Sequence, residues 1–227
     1  MHLLDAPIWN ALNGPQAKFA ESSGSALRFP PAVTGLGALA EVNDAGYASL
    51  ASLQKPGEVT ALFLQTPSPP PPGWKQVRDL RLSQMVYEGG EPAKTSVPFI
   101  ELGTADEAEM LALAQLTEPG PFGTRTRELG TFIGIRAGGR LASMAGVRLH
   151  VPGFTEISAV CTHPDHLGKG YAAGLMLEMM ARIRQRGETP FLHVRAENTR
   201  AIQIYERLGF RQRRVFQLSV VRKDITP

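Results

Sequence analysis

The chain has 227 residues, of which 43% are hydrophobic and 20% charged. It is long enough to bury a large core and too apolar to remain disordered. Its formal net charge of +3 is modest, and its single cysteine, Cys161, excludes an internal disulfide and any cysteine-based zinc site. No apolar run approaches the length needed to span a bilayer, and Met1-His2-Leu3-Leu4-Asp5 lacks the charged and apolar regions of a leader. A cytoplasmic protein without membrane contact is therefore expected. Charge is uneven: from Arg182 onward there are eleven Arg or Lys against four acids. That imbalance suits a polyanionic small ligand, whereas no recognisable nucleic-acid-binding module appears, so no nucleic-acid partner is expected.

Residues 10–55 are rich in Ala, Gly, Ser and Pro, with short helical patterns such as Ala48–Leu53. Val59–Leu64 reads as a strand. Pro67–Pro72 (Pro-Ser-Pro-Pro-Pro-Pro) is stiff and extended, and separates that strand from Trp74–Tyr87. The latter segment carries Val77, Leu80, Leu82, Met85 and Val86 among charges, which fits one strand or a strand plus a turn. Val97–Glu101 is a short strand. Thr104 is placed to cap a helix from Ala105 to about Leu116, with Glu107 at the capping-box position. Residues 118–127 form a loop broken by Pro119, Gly120, Pro121 and Gly123. Gly130–Arg136 and Arg140–His150 read as a hairpin turning at Ala137-Gly138-Gly139. Phe154–Thr162 is the next strand. A helix then shows Ala172, Leu175, Met176, Met179 and Ile183 on one face and stops at Gly187. Phe191–Val194 is a strand, Ala201, Ile204, Tyr205 and Leu208 line a last helix ended by Gly209, and Val215–Val221 is the final strand. Strands first antiparallel, then joined through helices, imply a mixed α/β sheet with helices on both faces.

The most informative stretch is Val160-Cys161-Thr162-His163-Pro164-Asp165-His166-Leu167-Gly168-Lys169-Gly170-Tyr171-Ala172. A strand breaks at a proline, passes two glycines and opens into an amphipathic helix. Glycines let backbone amides approach a ligand, and the first amides of a helix are unpaired and partly positive. Such a segment is a pyrophosphate cradle. Gly168-Lys169-Gly170-Tyr171-Ala172-Ala173 also fits the Gly-x-Gly-x-x-Gly/Ala dinucleotide fingerprint. However, the glycines lie far from the strand end, and the unit comes late in the chain after a hairpin, neither of which suits a first βαβ unit. A glycine-rich turn without ligand is the third possibility.

Together with Asn198-Thr199-Arg200-Ala201-Ile202-Gln203-Ile204-Tyr205-Glu206-Arg207-Leu208-Gly209-Phe210, this stretch resembles the GNAT superfamily of acyl-CoA-dependent N-acyltransferases. The likeness covers about residues 97–222. The family loop starts with Arg or Gln, and Leu167 departs from it. The resemblance implies a mixed, mostly antiparallel sheet with helices on both faces, in a GNAT domain at 96–227. A smaller N-terminal α/β region at 1–95, a degenerate half-domain, would precede it. It implies acetyl-CoA as cosubstrate, no metal, and direct transfer of an acetyl group to a primary amine of a small-molecule or peptide acceptor in a ternary complex. Val160, Cys161 and Thr162 would meet the pantetheine arm, with Leu167, Gly168, Lys169, Gly170, Tyr171 and Ala172 around the pyrophosphate. Asn198 would cap its helix and approach the cofactor arm.

Tyr205 would protonate the departing thiolate. A phenol of ordinary pKa about 10 carries its proton at neutral pH and needs no tuning for that task. Read alone, Tyr205 is equally a core tyrosine. Glu156 is the expected base for the acceptor ammonium and is otherwise a solvated strand-end acid; Glu128 is the second candidate, unless it pairs with Arg125 or Arg127. Cys161 and the scattered His163, His166 and His193 are assigned neither thiol catalysis nor metal binding. The reading from another class is a non-catalytic acyl-CoA-binding or partner-binding protein of the same fold.

Overall fold

The computed structural model describes residues 2–224. Its strands are β1 (Glu21–Ser23), β2 (Ala26–Arg28), β3 (Leu36–Leu39), β4 (Thr60–Leu64), β5 (Trp74–Tyr87), β6 (Ile100–Glu101), β7 (Phe132–Ala137), β8 (Arg140–Val151), β9 (Phe154–Thr162), β10 (Thr189–Arg195) and β11 (Phe210–Lys223). The helices are α1 (Pro7–Leu12), α2 (Asp44–Leu53), α3 (Glu107–Thr117), α4 (Tyr171–Gln185) and α5 (Thr199–Arg207). All eleven strands join one sheet in the order β1-β2-β3-β4-β11-β5-β10-β9-β8-β7-β6.

The two parts of the chain repeat one plan. β1, β2 and β3 form an antiparallel meander, and α2 carries the chain to β4, parallel to β3. β7, β8 and β9 repeat the meander, and α4 leads to β10, parallel to β9. The last strand of each set then crosses over. β5 pairs with β10, β11 pairs with β4, and the two long strands pair with each other in the middle. Residues 88–99, which contain the 95/96 boundary, link β5 to β6 without regular structure.

Period-two patterning sorts the side chains by face. On β5, Leu80 and Leu82 point with Phe191, Phe216 and Leu218 toward the core under α1. Met85 and Tyr87 point the other way, to Leu175, Met176, Met179 and Ile183 of α4. α3 covers the first face further along, over Met144, Ala159 and Cys161. Helices thus lie on both faces, as expected for the mixed sheet.

Three local expectations change. Trp74–Tyr87 is a single strand, because β11 pairs with it from end to end and β10 covers its other edge at Leu82–Val86. The strand expected at Val97 begins only at Ile100; Val97 instead packs against Gly174, where an added Cβ would lie 2.6 Å from its Cγ2. Thr104 is not the cap of α3. It starts a 3-10 turn, Thr104–Asp106, and the Asp106 carboxylate accepts from the Gly103 amide at 2.8 Å, ahead of a helix that starts at Glu107.

Candidate active site

β9 and β10 share only three parallel rungs, ending at Phe191↔Glu156. Beyond that point the strands part. On its other side β9 is bulged: the register runs from Gly146↔Ser158 to Met144↔Cys161, leaving Ala159 and Val160 outside it. Ala159 takes φ +53°, a left-handed conformation costly for any residue with a Cβ. The backbone from Ala159 to Thr162 therefore borders a gap with no strand partner on the β10 side, where an extended amide chain can enter.

At the far end of β9 the chain makes a 3-10 turn, Pro164–His166, and reaches Gly168 (φ +79°) and Gly170 (φ +76°). A Cβ at either glycine would meet nothing within 4 Å, so the backbone faces open space. α4 starts at Tyr171 with Gly170 as N-cap and no side-chain cap, which leaves its first amides available to an anion. Leu167 is exposed, its side chain offers no polar group, and its amide donates to Pro164 O at 3.3 Å. Lys169 Nζ lies 3.2 Å from His166 Nδ1. These residues fit a pyrophosphate. The equivalent junction between β3 and α2 does not: Asn43 caps the helix by accepting from the Gly46 amide, and Glu41 and Asp44 would repel phosphate. The two halves are alike in plan, but only the second has the cradle.

Asn198 Oδ1 accepts from the Ala201 amide at 3.1 Å, the expected cap of α5. Tyr205, on the inner face of that helix, packs edge-on to Phe210 and lines a cavity of ≈ 590 Å³. Burial pushes its phenol up to about 12, so it keeps its proton throughout the physiological range. The same cavity is bordered by Ile157, Ser158, Ala159 and Val160 of β9 and by Leu192 to Arg195 of β10. It extends over the α1 face of the sheet, where Leu36, Phe63, Leu80, Leu82, Leu218 and Val220 form an apolar wall. The loop from Thr117 to Phe122 faces that wall.

Glu156 is not among the lining residues. Its side chain is fully buried, and Arg148 donates to both carboxylate oxygens at 2.9 and 2.5 Å. His193 Nδ1 sits 2.7 Å from the same carboxylate. Burial alone would raise its pKa, but the Arg148 and His193 contacts overcome this and hold it at about 2. An acid so fully engaged is a poor direct base, and the expectation for Glu156 changes in that respect. His193, in turn, does line the cavity. Its Nε2 faces Gln84 Nε2 at 3.1 Å, and Gln84 Oε1 accepts from Arg213, which donates to Asp5 at 2.5 Å. With the amide donating to Nε2, the ring is neutral and its proton sits on Nδ1, toward Glu156. Burial lowers the His193 pKa despite the Glu156 charge, in keeping with that neutral form.

Glu128 is held by Arg125 through two bonds of 2.6 and 2.7 Å and is not among the residues that line the cavity. Cys161 is buried and its thiol is pushed up to about 11 by burial, so it is no thiolate nucleophile. Among the described residues no group of three or more His, Cys, Asp or Glu is arranged to hold a metal ion.

A splayed parallel pair, a bulged strand and an uncapped glycine cradle, with a protonated phenol on the same cavity as the bulge, are the parts that the resemblance to acyl-CoA-dependent transferases implies. Comparison with known proteins agrees. Residues 132–218 match the family described as FR47-like protein. The N-alpha-acetyltransferase RimI of Mycobacterium tuberculosis is 31% identical over 113 residues, which are 45% of this chain and 70% of the relative. A crystal structure described as an acetyltransferase from the GNAT family of Novosphingobium aromaticivorans superposes with a TM-score of 0.92 at 40% identity, over 99% of this chain and 100% of the other. A GCN5-related N-acetyltransferase from Kribbella flavida shares the fold, with a TM-score of 0.65 at 15% identity over 94% of each chain. The chain belongs to the GNAT family and is an acetyltransferase.

Proposed function

We propose that the protein moves the acetyl group of acetyl-CoA to a primary amine, directly, within a ternary complex. The observation that carries this reading is the position of Tyr205: its phenol borders the same cavity as the bulge at Ala159 and the parting of β9 from β10. The pantetheine arm lies along Val160, Cys161 and Thr162, where the backbone lacks a β10 partner. The pyrophosphate rests on amides from Gly168 to Ala172, since the Leu167 amide is already given to Pro164 O, and Asn198 holds the start of α5 beside the arm. A backbone amide near Val160 stabilises the oxyanion that forms when the amine attacks the thioester carbonyl. Tyr205 then gives its proton to the leaving sulfur.

The amine must first lose a proton. That proton passes to solvent through the open side of the cavity, because both nitrogens of His193 are already engaged, by Gln84 and Glu156. Glu156, bonded to Arg148 of β8 and His193 of β10, ties the three strands together where the thioester enters. The N-terminal half supplies the apolar wall against which the acceptor packs.

Two measurements test this. Acetyl-CoA should raise the melting temperature and NADPH should not, since a ligand stabilises only the state that binds it; the reverse ranking would revive the dinucleotide reading. Free-thiol release from acetyl-CoA should then depend on an added amine. Saturable binding with no transfer to any amine would indicate a binding protein instead.

A further inference from the structure

The cavity over the α1 face is walled from two sides, and those sides are tied together. Arg125 N donates to Ala32 O at 2.8 Å and Thr126 Oγ1 donates to Val33 O at 2.6 Å. Gly123 sits so close that a Cβ there would lie 2.3 Å from Ala32 O. Further along, Gln16 donates to Arg148 O at 2.8 Å and accepts from the His150 amide at 3.1 Å. The bonds to Ala32 and Val33 seat the N-terminal half against the segment after α3, and those of Gln16 seat it against β8.

One residue of that loop stands out. Among the described residues only Ala159 and Glu118 have positive φ without being glycine, and both line this cavity. Glu118 ends α3 at φ 46°, ψ 54°, with its amide donating to Ala114 O at 2.8 Å. Glycine is the residue that fits such a helix end without strain. A strained residue at a site wall is a pointer to function. Glu118 is exposed and is the one carboxylate among the described residues that line the cavity. Of the cations along the same walls, Arg148 is already neutralised by Glu156. Arg195 and Arg78 are exposed toward the C-terminal edge of β10, the edge on which the phosphate cradle sits.

We infer that the acceptor is a small amine with an apolar body, whose ammonium group pairs with Glu118 while its body lies on the wall of Phe63, Leu80 and Leu218. This rests on the acetyl-transfer reading above. Glu118 acts as a specificity residue: it draws in the charged amine and delivers it to the thioester, leaving cosubstrate binding to the other half of the cavity. A peptide acceptor would have to set its polar backbone against the apolar wall of Leu36, Phe63, Leu80 and Leu218, at a cost in unsatisfied hydrogen bonds.

The experiment uses the full chain with phenethylamine, hexylamine and a decapeptide beginning with alanine as acceptors, after acetyl-CoA binding has been measured by calorimetry. The two amines should be acetylated in preference to the decapeptide. Glu118→Gln should raise the KM for phenethylamine by about tenfold or more while leaving acetyl-CoA affinity unchanged. Glu118→Gly should show the same KM defect with a melting temperature at or above that of the wild type, because glycine relieves the strained backbone. A merely structural Glu118 would not combine those two results. Absence of acetyl-CoA binding would overturn the acetyl-transfer reading and this inference with it. Normal binding with preference for the decapeptide, or with a KM that Glu118→Gln moves less than about twofold, would overturn this inference alone.

Discussion

Replacing Glu156 with glutamine should be felt first in stability. The amide keeps the shape but removes the charge that balances Arg148, whose side chain is only 8% exposed. Breaking a buried pair by neutralising one partner typically costs about 3–5 kcal/mol, because the remaining charge is stranded. The folded-state pKa leads to a similar figure. A shift from 4.5 to about 2 corresponds to about 3 kcal/mol of preferential stabilisation of the ionised form. In a chain of this size that lowers the melting temperature by on the order of 10 °C. Because the folded pKa is depressed, the stabilisation is complete above about pH 4.5 and is lost as pH falls through about 2. His193 makes both proteins less stable as it is protonated below 6.5, because its lowered pKa favours the unfolded chain, and more so in the variant, which lacks the Glu156 charge. Urea denaturation of both proteins at pH 7, 5 and 3 should therefore show a gap that is at least as wide at pH 5 as at pH 7 and narrows at pH 3. A Glu156→Leu, Arg148→Met double variant should recover much of the loss, as apolar replacements of ion pairs often do. A gap under about 1 kcal/mol at pH 7, or one indifferent to pH, would refute the view of Glu156 as a fully engaged buried anion.

Tyr205→Phe should keep acetyl-CoA affinity and melting temperature but lower the transfer rate by roughly 10²-fold, the scale of general acid catalysis, as measured by single-turnover thiol release. With its pKa at about 12, the wild-type rate should show no alkaline loss from this group below pH 10 or so. Gly170→Asp forces a side chain onto a backbone at φ +76° and sets a carboxylate beside the pyrophosphate; calorimetry should show acetyl-CoA binding weakened by about tenfold or more in a folded protein.

The second half of the fold was largely legible in the sequence because its signals are local. Phe154–Thr162 was read with the bounds that the structure gives, and the glycines at 168 and 170 marked the turn because a positive φ leaves little choice of residue. Asn198 announced a helix start for the same kind of reason. The partners of Glu156 were hidden, because each bond spans separate strands. Arg148 lies across a bulged hairpin, and Gln84 reaches His193 through a pairing of β5 with β10 that no local pattern discloses. A histidine alternating with Phe191 on one face of an apolar strand was the available hint of a buried polar contact. Glu118 was lost within a loop named only for its prolines and glycines, since no sequence rule places a glutamate at a left-handed helix end.

The crossed-over strands have a consequence for how the chain is made. β5 leaves the ribosome more than a hundred residues before either of its neighbours, β10 and β11, exists. β4 likewise waits for β11. Until β10 emerges, a fourteen-residue strand offers bare N–H and C=O groups along both edges, and until β11 follows, along one, the kind of surface that recruits foreign strands. Neither half can finish its sheet alone, so synthesis cannot be followed by the usual orderly folding of one unit and then the next. Long-range pairing of this kind is slow to form. Arg78, Asp79 and Arg81, set among the apolar positions of β5, then act as guards during the delay, keeping the strand soluble until its mate arrives.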